Sequence, residues 1–161
     1  MAKMIVVHPE RCTGCRVCEL ACSFRNDGVF NPAYSRIFSF LFIEGAIYMP
    51  ITCMQCEDAP CAEVCPSKAI TRDAGTGVLQ ISEVKCFGCK MCMMACPFGV
   101  MTFNAGKRLA VKCEQCDGEP ECVTFCVPKA LEYRDVEVGM VAKRRSYAQK
   151  LMEAGKEVSV E

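Results

Sequence analysis

Sixteen cysteines, set in four runs of four with none left over, constrain this 161-residue chain more than any other feature. The first run is Cys12, Cys15, Cys18 and Cys22, spaced C-x2-C-x2-C-x3-C. The second is Cys53, Cys56, Cys61 and Cys65, where the middle gap widens to four residues. The third, Cys86, Cys89, Cys92 and Cys96, repeats the first spacing, and the fourth, Cys113, Cys116, Cys122 and Cys126, has a middle gap of five. Pro66 and Pro97 directly follow the last cysteine of runs two and three, and Gly14 and Gly88 precede the second cysteine of runs one and three.

Three cysteines in a tight loop place three thiolates on three irons of one cubane, while the fourth, one helical turn onward, points away to a neighbouring cubane. The spacing therefore predicts four [4Fe–4S] clusters. A glycine inside the loop lets the backbone fold closely around a cluster and aim its N–H groups at the sulfurs. Structural zinc joins two C-x2-C knuckles across a long loop, which these runs fit poorly, so a zinc-binding interaction module stays only a remote alternative. A disulfide framework needs an oxidising compartment.

Runs two and three share the Cys-Pro ending and read as one interlocked unit. On that reading Cys53, Cys56 and Cys61 share a cluster with Cys96, and Cys86, Cys89 and Cys92 share one with Cys65. Runs one and four then pair, Cys12, Cys15 and Cys18 with Cys126, and Cys113, Cys116 and Cys122 with Cys22. Spacing alone leaves open the other pairing, run one with two and three with four.

The fold class expected is α+β: nested bacterial-ferredoxin-like units of short β-hairpins and short helices around the clusters. Ile5-Val6-Val7, Val78 to Ile81 and Leu109 to Val111 read as strands entering runs one, three and four. Ala69 to Thr71, Val100 to Thr102 and Ala130 to Glu132 read as strands returning from runs two, three and four. Short helical turns are expected at Glu19 to Ala21, Ala62 to Val64, Met93 to Ala95 and Val123 to Phe125. Ile37 to Tyr48 reads as a hairpin turning near Glu44-Gly45. The domain boundaries expected are a polyferredoxin body over 1–133, with an inner unit of about 50–105 and an outer unit of 4–30 joined to 107–133. A helical tail over 134–161 carries Lys143-Arg144-Arg145 and Lys150 and is expected to dock a partner.

Charge and composition narrow the function. Nineteen basic and nineteen acidic side chains balance, which gives no sign of a nucleic-acid binder, and no nucleic-acid partner is expected. The hydrophobic fraction of 52 % counts the cysteines, so the side chains free to build a core are fewer than it suggests. Thiolate-bound cubanes add negative charge that a residue count omits. Basic residues flank each run: Arg11 and Arg16, Lys68 and Arg72, Lys85 and Lys90, Lys112 and Lys129. Their expected role is to soften that field and tune potentials. Met91, Met93 and Met94 are expected to shield a cluster, and the single histidine, His8, reads as an incidental loop residue. No secretory signal or twin-arginine motif is legible at the N-terminus, and the apolar stretch from Ile37 to Ile51, broken by Glu44, Gly45 and Pro50, is too short to span a membrane. A cytoplasmic protein without membrane insertion is expected. No nucleotide-binding glycine motif, nucleophile elbow or open-ligand metal site suggests catalysis by the chain itself.

The order of the runs, the Gln-Cys endings at Gln55-Cys56 and Gln115-Cys116, and the C-P-x-x-A-I segment from Cys65 to Ile70 resemble the four-cluster iron–sulfur subunits of anaerobic oxidoreductases. That family serves dimethyl sulfoxide reductase, formate dehydrogenases, hydrogenases and carbon monoxide dehydrogenase. The resemblance covers residues 4 to about 133 and implies nested pairing. Ala21-Cys22-Ser23-Phe24, Phe30-Asn31-Pro32 and Ser35-Arg36-Ile37 are similar to segments in subunits of carbon monoxide dehydrogenase and tungsten aldehyde oxidoreductases, with benzoyl-coenzyme A reductase a near neighbour. The resemblance thus implies a non-catalytic electron-transfer subunit between a large tungstopterin or molybdopterin chain and a flavin/NAD subunit or ferredoxin. The alternative complexes it implies are those of carbon monoxide dehydrogenase, hydrogenase and formate dehydrogenase. Two departures stand out: Cys22 is followed by Ser23, and Cys126 by Val127 before Pro128, so the turns after these two cysteines are expected to differ from the Cys-Pro turn.

Overall fold

A computed structural model describes residues 3–135 and 137; of the helical tail expected over 134–161, Arg134 and Asp135 belong instead to the last strand, where they pair with Met4 and Lys3, and the rest lies outside the described residues but for Glu137. Four antiparallel two-stranded sheets alternate with the four cysteine runs. Strand β2 (Ile37–Phe42) pairs with β3 (Ile47–Thr52), β4 (Ile70–Arg72) with β5 (Leu79–Ile81), and β6 (Thr102–Asn104) with β7 (Leu109–Val111). The fourth sheet closes the ring, because β1 (Lys3–Val7) pairs with β8 (Leu131–Asp135), Ile5 standing opposite Tyr133. A hairpin therefore lies between each run and the next, and the two ends of the described body meet beside runs one and four.

Every expected hairpin and return strand is present, with small shifts. After run three the strand starts at Thr102, and Val100 and Met101, read as its first residues, instead pack inside, at 2 % and 4 % exposure. The helices α2 (Pro60–Glu63), α3 (Met91–Ala95) and α4 (Glu121–Thr124) are single turns. Proline sets their limits. Pro60 occupies the first turn of α2, where no N–H is required of it, and Pro120 is the N-cap of α4. Cys96, pushed toward extended backbone by Pro97, ends α3 at φ −76° and ψ 113°.

Helix α1 (Val17–Asp27) is longer than expected. No proline follows Cys22, so the helix continues past its last cysteine until Gly28 caps it in the left-handed region, its N–H donating to the Phe24 carbonyl at 2.9 Å. The departure at Cys126 has no such effect. Lys129 N–H donates to the Cys126 carbonyl at 3.1 Å, just as Lys68 does to Cys65 and Gly99 to Cys96, both at 3.2 Å. All three turn residues have positive φ. The turn needs the left-handed residue three places on, and tolerates the displaced proline.

Two apolar clusters fill the interior. One joins Ile5, Ile37, Ala130 and Leu131 with Cys22, Cys113, Cys122 and Cys126. The other joins Ala59, Ala69, Ile70, Leu79, Met101 and Ala110 with Cys65 and Cys92. Cysteine is thus a main core residue of both. The β2–β3 hairpin packs against run one: a Cβ at Gly14 would lie 2.3 Å from the Tyr48 ring, so only glycine lets this loop and the hairpin meet. Glu19, 1 % exposed, fixes the same contact from α1, accepting the Ser39 N–H at 2.7 Å while its other oxygen meets Arg16 at 2.7 Å.

Candidate metal centres

Each run is built around one backbone device. The residue before its second cysteine lies in the left-handed region: Gly14 (φ 70°), Gln55 (52°), Gly88 (74°) and Gln115 (59°). This kink turns the loop back on itself, so that the flanking cysteines face a common space. The two glutamines accept the backbone cost and use their side chains as struts. The Gln55 amide donates to the Cys113 carbonyl at 2.8 Å and accepts the Leu79 N–H at 2.9 Å. The Gln115 amide donates to the Lys3 carbonyl at 2.9 Å and accepts the Tyr133 hydroxyl at 3.0 Å.

Three cavities gather cysteines from distant runs. Cys12, Cys15, Cys18 and Cys126 line one. Cys22, Cys113, Cys116 and Cys122 line a second. Cys65, Cys86, Cys89 and Cys92 line a third. In the remaining quartet, the Cys61 thiol is perturbed by Cys96, and Cys53 by Cys61. Neighbouring quartets also touch electrostatically: Cys18 acts on Cys122, Cys113 on Cys53, and Cys61 on Cys92. Among the described residues no group of three or more Cys, His, Asp or Glu converges so as to hold a single metal ion, whereas zinc draws its sulfurs to about 2.3 Å from one centre.

Burial, reinforced by the Glu19 carboxylate, pushes the Cys18 thiol up to about 12. Burial and the thiols of Cys86 and Cys89 push Cys92 up to about 11. Burial raises Cys22, Cys53, Cys61, Cys116 and Cys122 as well. Without iron these thiols hold their protons at neutral pH, so metal binding must displace them. Cys65 goes the other way. Burial raises it, but the Ser67 hydroxyl and the N–H groups of Ala69, Ile70 and Ser67 together bring it below the usual thiol range. Ala69 N–H stands 3.3 Å from this sulfur, and Arg36 N–H stands 3.2 Å from that of Cys22. Hydrogen bonds to sulfur favour a thiolate and, with iron present, the reduced state. An all-thiol donor set, cavities that each gather four thiols and N–H groups aimed at sulfur fit iron–sulfur clusters.

A family profile described as a 4Fe-4S dicluster domain matches residues 45–136, and one described as a 4Fe-4S binding domain matches residues 5–25. The chain belongs to the 4Fe-4S dicluster family. Between them the two matches contain all sixteen cysteines. The polyferredoxin-like subunit of aliphatic sulfonate oxidoreductase from Pyrococcus furiosus is 43 % identical over 122 residues, covering 76 % of this chain and 70 % of that one. The putative electron transport protein YsaA of Escherichia coli is 37 % identical over 147 residues, 85 % and 92 % of the two chains. YnfG of the same organism, named for a probable anaerobic dimethyl sulfoxide reductase, is 34 % identical over 149 residues, 81 % and 72 %. Among solved structures, a polypeptide of the active-site complex BamBC of benzoyl coenzyme A reductase aligns over 97 % of both chains at 24 % identity, with a TM-score of 0.49. This 4Fe-4S dicluster protein binds [4Fe–4S] clusters and is an electron-transfer iron–sulfur subunit of an oxidoreductase.

The flanking residues of this dicluster protein divide by what they touch. Arg72 braces the second run, donating to the carbonyls of Cys56 at 2.5 Å and Gly77 at 2.6 Å. Lys90 lies 4.3 Å from the centroid of the Phe103 ring. Arg11 pairs with Glu132 at 3.3 Å, and His8 lies between Glu10 at 3.3 Å and Glu132 at 3.4 Å. Lys112 alone of the set is fully buried. The methionine expectation needs correcting. Met93 packs against the second core, but Met91 and Met94 are exposed, because a one-turn helix has only one inward face. No described helix is long and apolar enough to cross a membrane.

Proposed function

We propose that residues 1–133 form one nested polyferredoxin body holding four [4Fe–4S] clusters in a linear relay. The ligand sets are Cys12, Cys15, Cys18 and Cys126; then Cys22, Cys113, Cys116 and Cys122; then Cys53, Cys56, Cys61 and Cys96; then Cys65, Cys86, Cys89 and Cys92. The outer unit carries the first two sets and the inner unit the last two. When bound, a [4Fe–4S] cluster supplies one-electron redox chemistry.

One observation carries the reading: thiols of successive quartets perturb one another in that order, and the exposed cysteines, Cys15 and Cys89, belong to the first and the last. Electrons are exchanged with partners at these two ends, while the middle quartets are screened by protein. Around the far end Phe87, Met91, Met94 and Phe98 present an apolar surface suited to a protein partner. The resemblance of the segments around Cys22, Phe30 and Arg36 supports a large tungstopterin chain at one end and a flavin/NAD subunit or ferredoxin at the other, with the 134–161 tail assisting docking. A cytoplasmic location suits sixteen thiols that must stay reduced before cluster insertion.

Anaerobic affinity purification of the full chain from its native cells tests this reading. A co-purifying large subunit containing pterin and tungsten or molybdenum is expected. Recovery of a stoichiometric large partner with neither metal nor pterin would exclude the tungstopterin assignment.

A further inference from the structure

A buried cation sits at the middle step of the relay. Lys112 is 0 % exposed, and its ammonium donates to the Leu79 carbonyl and, at 2.8 Å, to that of Cys113. Gln55 bridges the same two residues, donating to the Cys113 carbonyl and accepting the Leu79 N–H. Leu79 belongs to the inner core and Cys113 to the outer one, so Lys112 and Gln55 together stitch the seam between them. Arg36 reinforces the seam, its guanidinium donating to the Lys112 carbonyl at 3.3 Å. That second cation is balanced by Glu114, 3.6 Å away.

Lys112 has no carboxylate partner among the described residues. A fully buried ammonium in that condition is strongly unfavourable unless negative charge stands beside it. Cluster-bound thiolates of the second run would supply it: Gln55, between Cys53 and Cys56, donates to the same Cys113 carbonyl as the Lys112 ammonium, and the Lys112 charge favours the thiolate form of Cys53 and Cys61. In the other quartets the nearby cations are exposed or already paired: Arg16 pairs with Glu19, and Arg36 with Glu114.

We propose that Lys112 is a positioning residue that holds the cluster of Cys53, Cys56, Cys61 and Cys96 at the highest potential of the relay. The inference rests on the ligand sets given above. Reduction adds one negative charge to a cluster, and a fixed buried cation stabilises that state more than the oxidised one. With clusters bound, an electron arriving from either end would come to rest at the seam beside Lys112. Because Lys112 is braced by two carbonyls, its charge stays in place through the redox cycle.

Potentiometric titration of the loaded protein, followed by electron paramagnetic resonance, tests the assignment alongside K112Q and K112R. In K112Q the highest couple is expected to fall about tenfold in reduction equilibrium constant, which is about 59 mV for a one-electron couple. In K112R it should stay near its native value, and the other couples should move little in either variant. A K112Q protein with its full iron and unchanged potentials would overturn the proposal. If K112Q takes up too little iron to titrate, Cys96→Ser in the otherwise native chain decides. Serine ligation alters only the couple of this quartet, which must be the highest one, and alteration of any other couple overturns the assignment. Absence of iron–sulfur signals from the native protein would instead sink the relay itself.

Discussion

Stripping the iron from the loaded protein is expected to abolish its cooperative unfolding transition and leave a chain without fixed tertiary structure. The strands β4 to β7 have three residues each, and isolated two-stranded hairpins are marginal in water. Around the outer quartets the buried companions of the four buried cysteines are Ile5, Ile37, Ala130 and Leu131, with Val7, Val123 and Tyr133 half-buried against them. Iron–sulfur binding therefore stands in for a core, and its free energy is folding free energy. The sheet between β1 and β8 is expected to open with the rest, since Ile5 and Leu131 pack on Cys22, Cys122 and Cys126. Circular dichroism and limited proteolysis after anaerobic oxidation and chelation check this. A chelated chain that still melts in one sharp step would contradict it.

Cysteines far apart in sequence are expected to fail together. Cys126→Ala should remove the same paramagnetic signal as Cys12→Ala, with about a quarter of the iron lost in each. The double variant should lose no more than either single one, the non-additivity of two groups serving one site. Cys22→Ala should remove a different signal, shared with Cys113→Ala. If run one instead paired with run two, Cys12→Ala would match Cys65→Ala and leave the Cys126 signal intact. Iron analysis and spectroscopy of these variants distinguish the two arrangements directly.

The cysteine runs and their hairpins were legible because their signals are local. A ligand loop needs its cysteines two residues apart, and a three-residue strand beside a turn shows itself by valine and isoleucine. The length of α1 was not legible as such, although its cause was: nothing after Cys22 stops a helix until Gly28. Cys126 shows the converse. Its displaced proline looked like a different turn, yet the deciding residue was Lys129, whose positive φ has no clear sequence signal. The methionines of run three misled because apolarity says nothing of which side of a one-turn helix faces inward. Lys112 read as one of eight similar flanking cations. Its burial depends on β5 and on Gln55, contacts distant in sequence, and no local pattern marks it. Gln55 and Gln115 stood out as a repeated dipeptide, but their bridging of separate strands is a tertiary fact.

Iron and acid-labile sulfide per chain, determined on protein purified or reconstituted without oxygen, test the relay most directly. Four thiolate quartets predict about sixteen of each per chain. A value near eight, or zinc in place of iron and sulfide, would contradict the account.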